Sequence, residues 1–377
     1  MLGITMLLQG RLVYYPWSRE VRERASEKFA NGYVPILDLQ TSSLCTLRVR
    51  YGGCIYCDSN VGLPQKNELT TKETKKLISD LIEHGLEWIF ICGLGEPFDD
   101  PKFWDIISYG SKHDIKFSVF TNGLLLQKDE SKIRATANDL FENNVNLLVK
   151  CDSLKVPTFS FSLGLRNNEK LVERIFKFIE ALLDLGYCEV GNPDLALSIV
   201  PLKQNLNEIP QIVQFCKERK MFPLIGQLEY AGRAKTIWDE IAPTDVQLLD
   251  MLRNVSDILG YEYEIPVCPA GIYSIHVNNK GDVVIDENTG LSCFWFYLME
   301  PKVYSVGNIR KMSAIHLLRV VEGYRIAKFN SVKRVLESCI KLPLGGCGGK
   351  LLVKEYINFM FNKYASARGI RLPATPT

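Results

Sequence analysis

Apolar residues along this 377-residue chain fall into short blocks separated by longer amphipathic stretches. Blocks at 34–39, 88–92, 116–120, 146–150, 195–200 and 223–228 are rich in Ile, Val, Leu and Phe, the pattern of strands buried on both faces. Between them, apolar positions recur at helical spacing near 101–113, 129–143, 167–185 and 206–219. An earlier helix is marked by a capping box, Thr70-x-x-Glu73, after which Leu77, Ile78, Leu81 and Ile82 line one face up to Gly85. A helix is also expected around 20–29, in a lead-in that holds Tyr14, Tyr15 and Trp17.

Strands alternating with helices predict a parallel sheet, because each parallel neighbour needs a crossover that packs on the sheet. Six such units predict an α/β fold, built as an open doubly wound sheet or as a partial (β/α)6 TIM-like barrel. In both architectures chemistry gathers at the carboxyl ends of the strands. The unusual residues lie there. The first block leads into a loop with Cys45, Cys54 and Cys57, and the second into Gly93-Leu94-Gly95-Glu96-Pro97. The third ends in Thr121-Asn122-Gly123, the fourth in Lys150-Cys151-Asp152-Ser153, and the sixth in Gly226-Gln227-Leu228-Glu229.

A content of 46% hydrophobic and 23% charged residues is that of a soluble globular chain, and a net charge of +2 gives no support for a nucleic-acid or membrane partner. Residues 1–8 are apolar but short and lack a basic leader, so they read as the start of a strand or helix and not as a signal peptide. No apolar block approaches the length needed to cross a bilayer. The 11 cysteines are an odd set. Without an export signal, a reducing cytoplasm and metal or cluster ligation are expected in place of disulfides.

Three thiolates in one short loop are one ligand short of a closed structural site, which suggests a metal or cluster with an open position. Cys54-x2-Cys57 alone serves zinc ribbons, redox dithiols and iron–sulfur clusters alike. The segment from Gly93 to Pro97 lets backbone approach a ligand closely and sets a carboxylate beside free carbonyls, a combination that suits an ammonium group. Taken alone it is also an ordinary strand-to-helix turn. Arg48 and Arg50 are expected to be solvated, although an anionic substrate would also suit them. Glu229, Tyr230 and Arg233 face the same end of the sheet, where they either orient a ligand or meet solvent. His84, His113, His276 and His316 show no ligand or triad spacing and read as core or surface. Cys188 and Cys216 read as core, and Cys92 and Cys151, at strand ends facing the cavity, as filler, with donation of a hydrogen atom the alternative. Past a boundary near 235–260, Cys268, Cys293, Cys339 and Cys347 form a second set that would build a zinc site as readily as a cluster.

The three-cysteine loop, Tyr56 before the third cysteine, the Gly95-Glu96-Pro97 turn and Thr121-Asn122-Gly123, in that order, resemble the radical S-adenosylmethionine superfamily. The resemblance implies that Cys45, Cys54 and Cys57 hold a 4Fe–4S cluster whose fourth iron is chelated by S-adenosylmethionine. It further implies that Tyr56 packs by the adenine and that Gly93, Gly95, Glu96 and Pro97 receive the methionine ammonium. Thr121, Asn122, Lys150 and Asp152 would then lie near the sulfonium, carboxylate or ribose. One departure stands out: the family's Cys-x3-Cys-x2-Cys is Cys45-x8-Cys54-x2-Cys57 here, so the first interval carries five extra residues.

Further on, Cys268-Pro269-Ala270-Gly271, a hairpin around Gly281-Asp282-Val283-Val284, Cys293, Gly307-Asn308-Ile309, Cys339 and Cys347-Gly348-Gly349 resemble the auxiliary-cluster extensions called SPASM and twitch. Four cysteines match the short twitch type with a second 4Fe–4S cluster; Asp286 stands where the longer pattern has another cysteine. The implied organisation is an N-terminal extension at 1–34, a barrel at 35–235, a linker helix at 236–260, and a twitch-like domain with a C-terminal helix at 261–377. The implied activity is reductive cleavage of S-adenosylmethionine to a 5′-deoxyadenosyl radical, which takes a hydrogen atom from a ribosomal peptide or a small metabolite. Flavodoxin or ferredoxin would supply the electron, and the auxiliary cluster would assist oxidation, cross-linking or substrate binding. The short stretch before the first strand is smaller than the leader-binding domain of many peptide modifiers, which weighs against a peptide. The rival expectation is a zinc-binding scaffold in which both cysteine sets are structural.

Overall fold

The computed structural model describes residues 24–327 apart from 26, 30, 60–61, 127–129, 166–167, 227, 262, 264–273 and 287–302. Its main sheet has seven parallel strands: β1 Ile36–Leu39, β2 Trp88–Ile91, β3 Lys116–Thr121, β4 Val145–Lys150, β5 Leu195–Ile199, β6 Phe222–Ile225 and β7 Ser274–Val277. They run in the order β6-β5-β4-β3-β2-β1-β7. The helices are α1 Thr46–Tyr51, α2 Thr71–Ile82, α3 Phe103–Ser111, α4 Ile133–Glu142, α5 Val156–Leu163, α6 Lys170–Asp184, α7 Ile209–Glu218, α8 Trp238–Ile241 and α9 Asp245–Leu259. An antiparallel pair, β8 Asp282–Asp286 and β9 Val303–Asn308, is followed by α10 Ala314–Ala327.

Side-chain alternation divides the sheet into two faces. Leu37, Leu39, Ile89, Ile91, Val119, Leu147, Val149, Leu197 and Ile199 join the large core shared with the helices. The opposite face holds a small cluster of Phe90, Leu148, Ala196 and Leu224, with Cys92 and Phe120 against it. This is the inner surface of a partial barrel, with the helical layer outside. The capping box that starts α2 forms as expected, Glu73 accepting from the Thr70 amide at 2.8 Å and Thr70 from the Glu73 amide. Outside the barrel, α9 packs on α7, and its buried face is Met251, Val255 and Leu259. Tyr263 then covers the edge of β6, its hydroxyl donating to Pro223 O at 2.8 Å and accepting from Ile225 N at 3.0 Å.

Three elements depart from the pattern read along the chain. The extra residues of the cysteine loop fold as α1. Residues 156–163, Val-Pro-Thr-Phe-Ser-Phe-Ser-Leu, form α5 despite β-branched, aromatic and serine content, with proline in the first turn where its missing N–H does no harm. The six-unit sheet gains a seventh strand, β7, which pairs with β1 in the register Ile36↔Ser274 to Leu39↔Val277. Its sequence alternates polar and apolar, with Ser274 and His276 turned to the inner face, so no continuous apolar block marks it.

The segments Gly281–Val284 and Gly307–Ile309 meet across one ladder, with Asp282 opposite Asn308 and Val283 opposite Gly307. This hairpin is tied to the barrel. Arg310 reaches Glu73 Oε1 at 2.5 Å and the carbonyls of Asn67, Glu68 and Lys280 at 3.2, 3.1 and 2.9 Å. Glu68 accepts from Ser42 Oγ at 3.0 Å, Ser43 N at 2.9 Å and Asn279 Nδ2 at 2.9 Å, which fastens the chain before Cys45 to the turn between β7 and β8. Cys268, Cys293, Cys339 and Cys347 lie outside the described residues. Among the described residues, no helix is long and apolar enough to cross a membrane.

Candidate active site at the carboxyl ends of the strands

The chain leaving β1 passes through buried Gln40 to Ser43 and enters α1, with Cys45 at its N-cap. Thr46 N donates to Asp99 Oδ2 at 2.6 Å, which anchors the start of the helix. Six residues rise only about 9 Å as a helix, less than half their extended span, so the longer first interval returns Cys54 towards Cys45. Gly52 and Gly53, at φ 86° and 77°, then turn the chain through the left-handed region that favours glycine. Cys57 N donates to Cys54 O at 3.1 Å, closing the second interval as a tight turn, and Ile55 N donates to Ser162 O at 3.0 Å, docking it on α5.

All three cysteines are half-buried residues, and each lies near enough to the next to act on its charge, Cys45 with Cys54 and Cys54 with Cys57. Burial raises the Cys45 thiol well above the usual range. It pushes Cys54 up to about 12 against the opposing Lys150 cation, and raises Cys57, where Asp58 adds to burial. Among the described residues, no three His, Cys, Asp or Glu side chains converge tightly enough to chelate one ion.

The Gly93–Pro97 turn lies directly against this loop. Gly95 N donates to Ser42 O at 3.1 Å and Glu96 N to Leu44 O at 2.7 Å. A Cβ on Gly95 would collide with the Leu44 backbone, so the approach requires glycine. Glu96 is 5% exposed. Its carboxylate accepts from Thr121 Oγ1 at 2.6 Å, Asn122 N at 2.7 Å and Phe98 N at 3.3 Å, so the turn after β2 and the end of β3 form one network. Burial, with the Asp99 charge added, pushes the Glu96 carboxyl up to about 8.

At the end of β4, Lys150 Nζ stands 3.0 Å from Asp152 Oδ2 and 4.2 Å from the centre of the Tyr56 ring. The Tyr56 hydroxyl donates to the same carboxylate oxygen at 2.6 Å, and Val200 N donates to Asp152 Oδ1 at 3.0 Å. Asn205, with no motif to signal it, braces the turn by donating to Asp152 O at 2.8 Å and Val200 O at 2.9 Å. All twelve candidate site residues of the barrel thus fall at the ends of β1 to β4, in two linked groups. One joins Glu96, Thr121 and Asn122 to the Cys45 end of the loop; the other joins Tyr56, Lys150 and Asp152 to its Cys54 end.

Other residues take positions that spacing does not predict. Arg233, after β6, bonds to the cysteine loop and is not a solvated charge: its Nη1 donates to Gly52 O, Gly53 O and Cys54 O at 2.5, 2.7 and 2.8 Å. Nearby, burial and then the Asp58 charge push the Glu229 carboxyl up to about 7. His276 of β7 stands 3.0 Å from Asp38 of β1 inside the barrel, a pairing that only the fold creates. Asp38 Oδ1 and Gln40 Nε2 are buried beside it with no hydrogen-bond partner among the described residues. Cys151 belongs to the helix-side core and does not face the cavity, whereas Cys92 packs on the inner cluster. Cys188 and Cys216 are core residues as expected. Arg48 caps α1 by donating to Gly52 O at 2.6 Å.

Residues 40–216 match the model of the radical SAM superfamily, from the residue after β1 to the last turn of α7. The chain is 24% identical over 229 residues to mycofactocin maturase MftC of Mycobacterium ulcerans (strain Agy99), covering 59% of this chain and 56% of that protein. It is 24% identical over 222 residues to PqqA peptide cyclase of Bradyrhizobium diazoefficiens, covering 56% and 54%. It therefore spans a little over half the length of these curated relatives. Streptococcus suis SuiB bound to S-adenosylmethionine superposes with a TM-score of 0.62 at 16% identity, over 86% of this chain and 74% of that one, which establishes a common fold.

Proposed function

We propose that the chain belongs to the radical SAM superfamily, whose members bind S-adenosylmethionine and a 4Fe–4S cluster, and that it uses both to modify a peptide. Cys45, Cys54 and Cys57 hold the cluster in this reading. Gly93, Gly95, Glu96 and Pro97 receive the methionine ammonium, with Tyr56, Thr121, Asn122, Lys150 and Asp152 along the rest of the ligand. The donor set fits: three thiols share one loop, cations at Lys150 and Arg233 lie within electrostatic reach of Cys54, and glycine backbone lines the adjoining turn.

When bound, the cluster and S-adenosylmethionine supply an electron and a 5′-deoxyadenosyl radical able to take a hydrogen atom from a substrate carbon. The protein's own part is orientation and exclusion of water. Asp152 fixes both the Tyr56 hydroxyl and the Lys150 ammonium, so ring and cation keep one arrangement beside the loop. Glu96 locks the turn to β3, and its buried carboxylate gains from a cation placed nearby. Phe90, Phe120, Leu148, Ala196 and Leu224 give the inner face an apolar wall that keeps water from reactive groups.

A peptide substrate is supported by the likeness to PqqA peptide cyclase and to mycofactocin maturase. In the same reading Cys268, Cys293, Cys339 and Cys347 hold a second 4Fe–4S cluster in a twitch-like domain. A flavodoxin or ferredoxin supplies electrons, and the enzyme works in the cytoplasm. The observation that carries the proposal is the single hydrogen-bonded network from the Cys45 loop through Glu96 to Thr121 and Asn122.

Anaerobic reconstitution, followed by iron, sulfide and zinc analysis, tests it. The expected protein is brown, and with dithionite and S-adenosylmethionine it releases 5′-deoxyadenosine, a yield that Cys54→Ala abolishes. A colourless protein that binds only zinc overturns the proposal in favour of a scaffold.

A further inference from the structure

We infer that Arg233 is a positioning residue for the cysteine loop: its guanidinium clamps the carbonyls of Gly52, Gly53 and Cys54 and thereby fixes where the loop presents its thiols. The inference rests on the assignment of Cys45, Cys54 and Cys57 as cluster ligands. No motif reaches Arg233, which follows β6, the barrel strand farthest from β1 along the hydrogen-bonded sheet.

Two observations make the contact more than a surface hydrogen bond. First, one nitrogen serves three consecutive carbonyls, at 2.5, 2.7 and 2.8 Å, while the Arg233 amide donates to Cys57 O at 2.9 Å. The residue therefore holds the chain on both sides of the Cys54–Cys57 turn. Secondly, Gly232 lies so close to the Cys57 and Asp58 carbonyls that a Cβ there would clash, so backbone rests directly on backbone. The contact is built into the path of the chain.

Its purpose follows from the loop. Eight residues separate Cys45 from Cys54, and two consecutive glycines end α1, so the loop has more freedom than a three-residue interval would have. The Arg233 cation sits just past the carboxyl end of α1, where it complements the negative end of the helix. The rigid guanidinium plane holds Nη1 in one direction against these carbonyls, which a lysine ammonium on a flexible stem does less well.

Wild type, Arg233→Met, Arg233→Lys and a Cys45→Ala/Cys54→Ala/Cys57→Ala variant test this. In metal-free protein, hydrogen exchange of amides 52–57 should quicken about tenfold in Arg233→Met while the strands keep their protection. Iron retained by the loop after reconstitution and desalting, read against the triple variant, should fall about tenfold, the usual loss when an outer partner of a ligand is removed. The spectrum of the reduced cluster should broaden. Arg233→Lys should lie between Arg233→Met and wild type in all three readings. Wild-type protection at 52–57, or undiminished iron in Arg233→Met, overturns the inference. Should Arg233→Met fail to fold, Arg233→Lys carries the comparison, and wild-type behaviour in it is equally fatal. If the triple variant itself binds as much iron as wild type, the cluster assignment falls; if only Arg233→Met keeps its iron, the clamp alone falls.

Discussion

Arg233 Nη1 donates to the carbonyl of Cys54 at 2.8 Å, joining the segment after the sixth strand to the loop after the first. Between those strands the sheet order runs β6-β5-β4-β3-β2-β1, with no ladder from β6 back to β1 among the described residues. The carboxyl-end mouth of the partial barrel is therefore bridged by side chain and loop, without a hydrogen-bonded seam. The bridge ends on the loop that carries Cys54 and Cys57.

Gly95→Ala tests how closely the two loops must meet. The added methyl has no rotamer with which to escape the Leu44 backbone, so one of the turns has to move. Overpacking of this kind costs about 1–3 kcal/mol, and here the displaced segment carries Cys45. The expected outcome is a lowered melting temperature together with weaker iron retention, measured on one preparation. Unchanged values of both would show that the turns are not in contact.

Asp152→Asn should damage more than its size suggests. The carboxylate is fully buried and answers Lys150, Tyr56 and Val200 N at once. Removing its charge leaves the Lys150 ammonium poorly matched, and breaking a buried pair costs about 3–5 kcal/mol. Tyr56→Phe removes only one donor and should cost about 1 kcal/mol. Denaturant midpoints of the two variants measure the contrast, and equal losses would refute the assignment of Asp152 as the hub.

Glu96 gives a pH dependence of definite sign. Its carboxyl moves from 4.5 to about 8 on folding, so the folded state holds the proton more tightly than the unfolded state does. The contribution to stability is fully present below pH 4.5 and is lost as pH rises through about 8. Glu96→Gln keeps the shape without the titration. The stability of wild type relative to this variant should therefore fall across that window in metal-free protein. A flat difference would mean that the carboxylate is compensated by a group nearby.

Glu73, in the first turn of α2, provides the opposite sign. Its bond to Arg310 holds the carboxyl down at about 2, against 4.5 when unpaired. The stabilisation is present above pH 4.5 and is lost as pH falls through about 2. Acid should thus release the hairpin of β8 and β9, seen as hydrogen exchange at 303–308, and Glu73→Gln should release it at neutral pH.

The barrel was legible because its first six strands are buried on both faces, which leaves apolar blocks that differ from the observed strands only at their ends. The strand-end motifs were legible because glycine, cysteine and carboxylate stand out against those blocks. What escaped was whatever depends on a distant partner. Nothing local marks β7, since Ser274 and His276 face the inner side and alternate with Ile275 and Val277. His276 meets Asp38 only once β7 lies beside β1. For Arg233 the sequence left a ligand-orienting role and solvent both open, because its acceptors are main-chain carbonyls, which carry no sequence signature. In α1 the obstacle was length: six residues with two β-branched side chains are no helix by propensity and hold together through Asp99 and the glycine turn.

The placement of β7 beside β1 bears on how the protein is made. Emerging from a ribosome, the first strand finds β2 early, but its outer edge stays bare until residues 274–277 have been translated. An uncovered edge of buried-type strand invites pairing with other chains, and contacts this remote in sequence form slowly. Nascent chains that stall before that point should therefore be the species that chaperones hold and that aggregates contain.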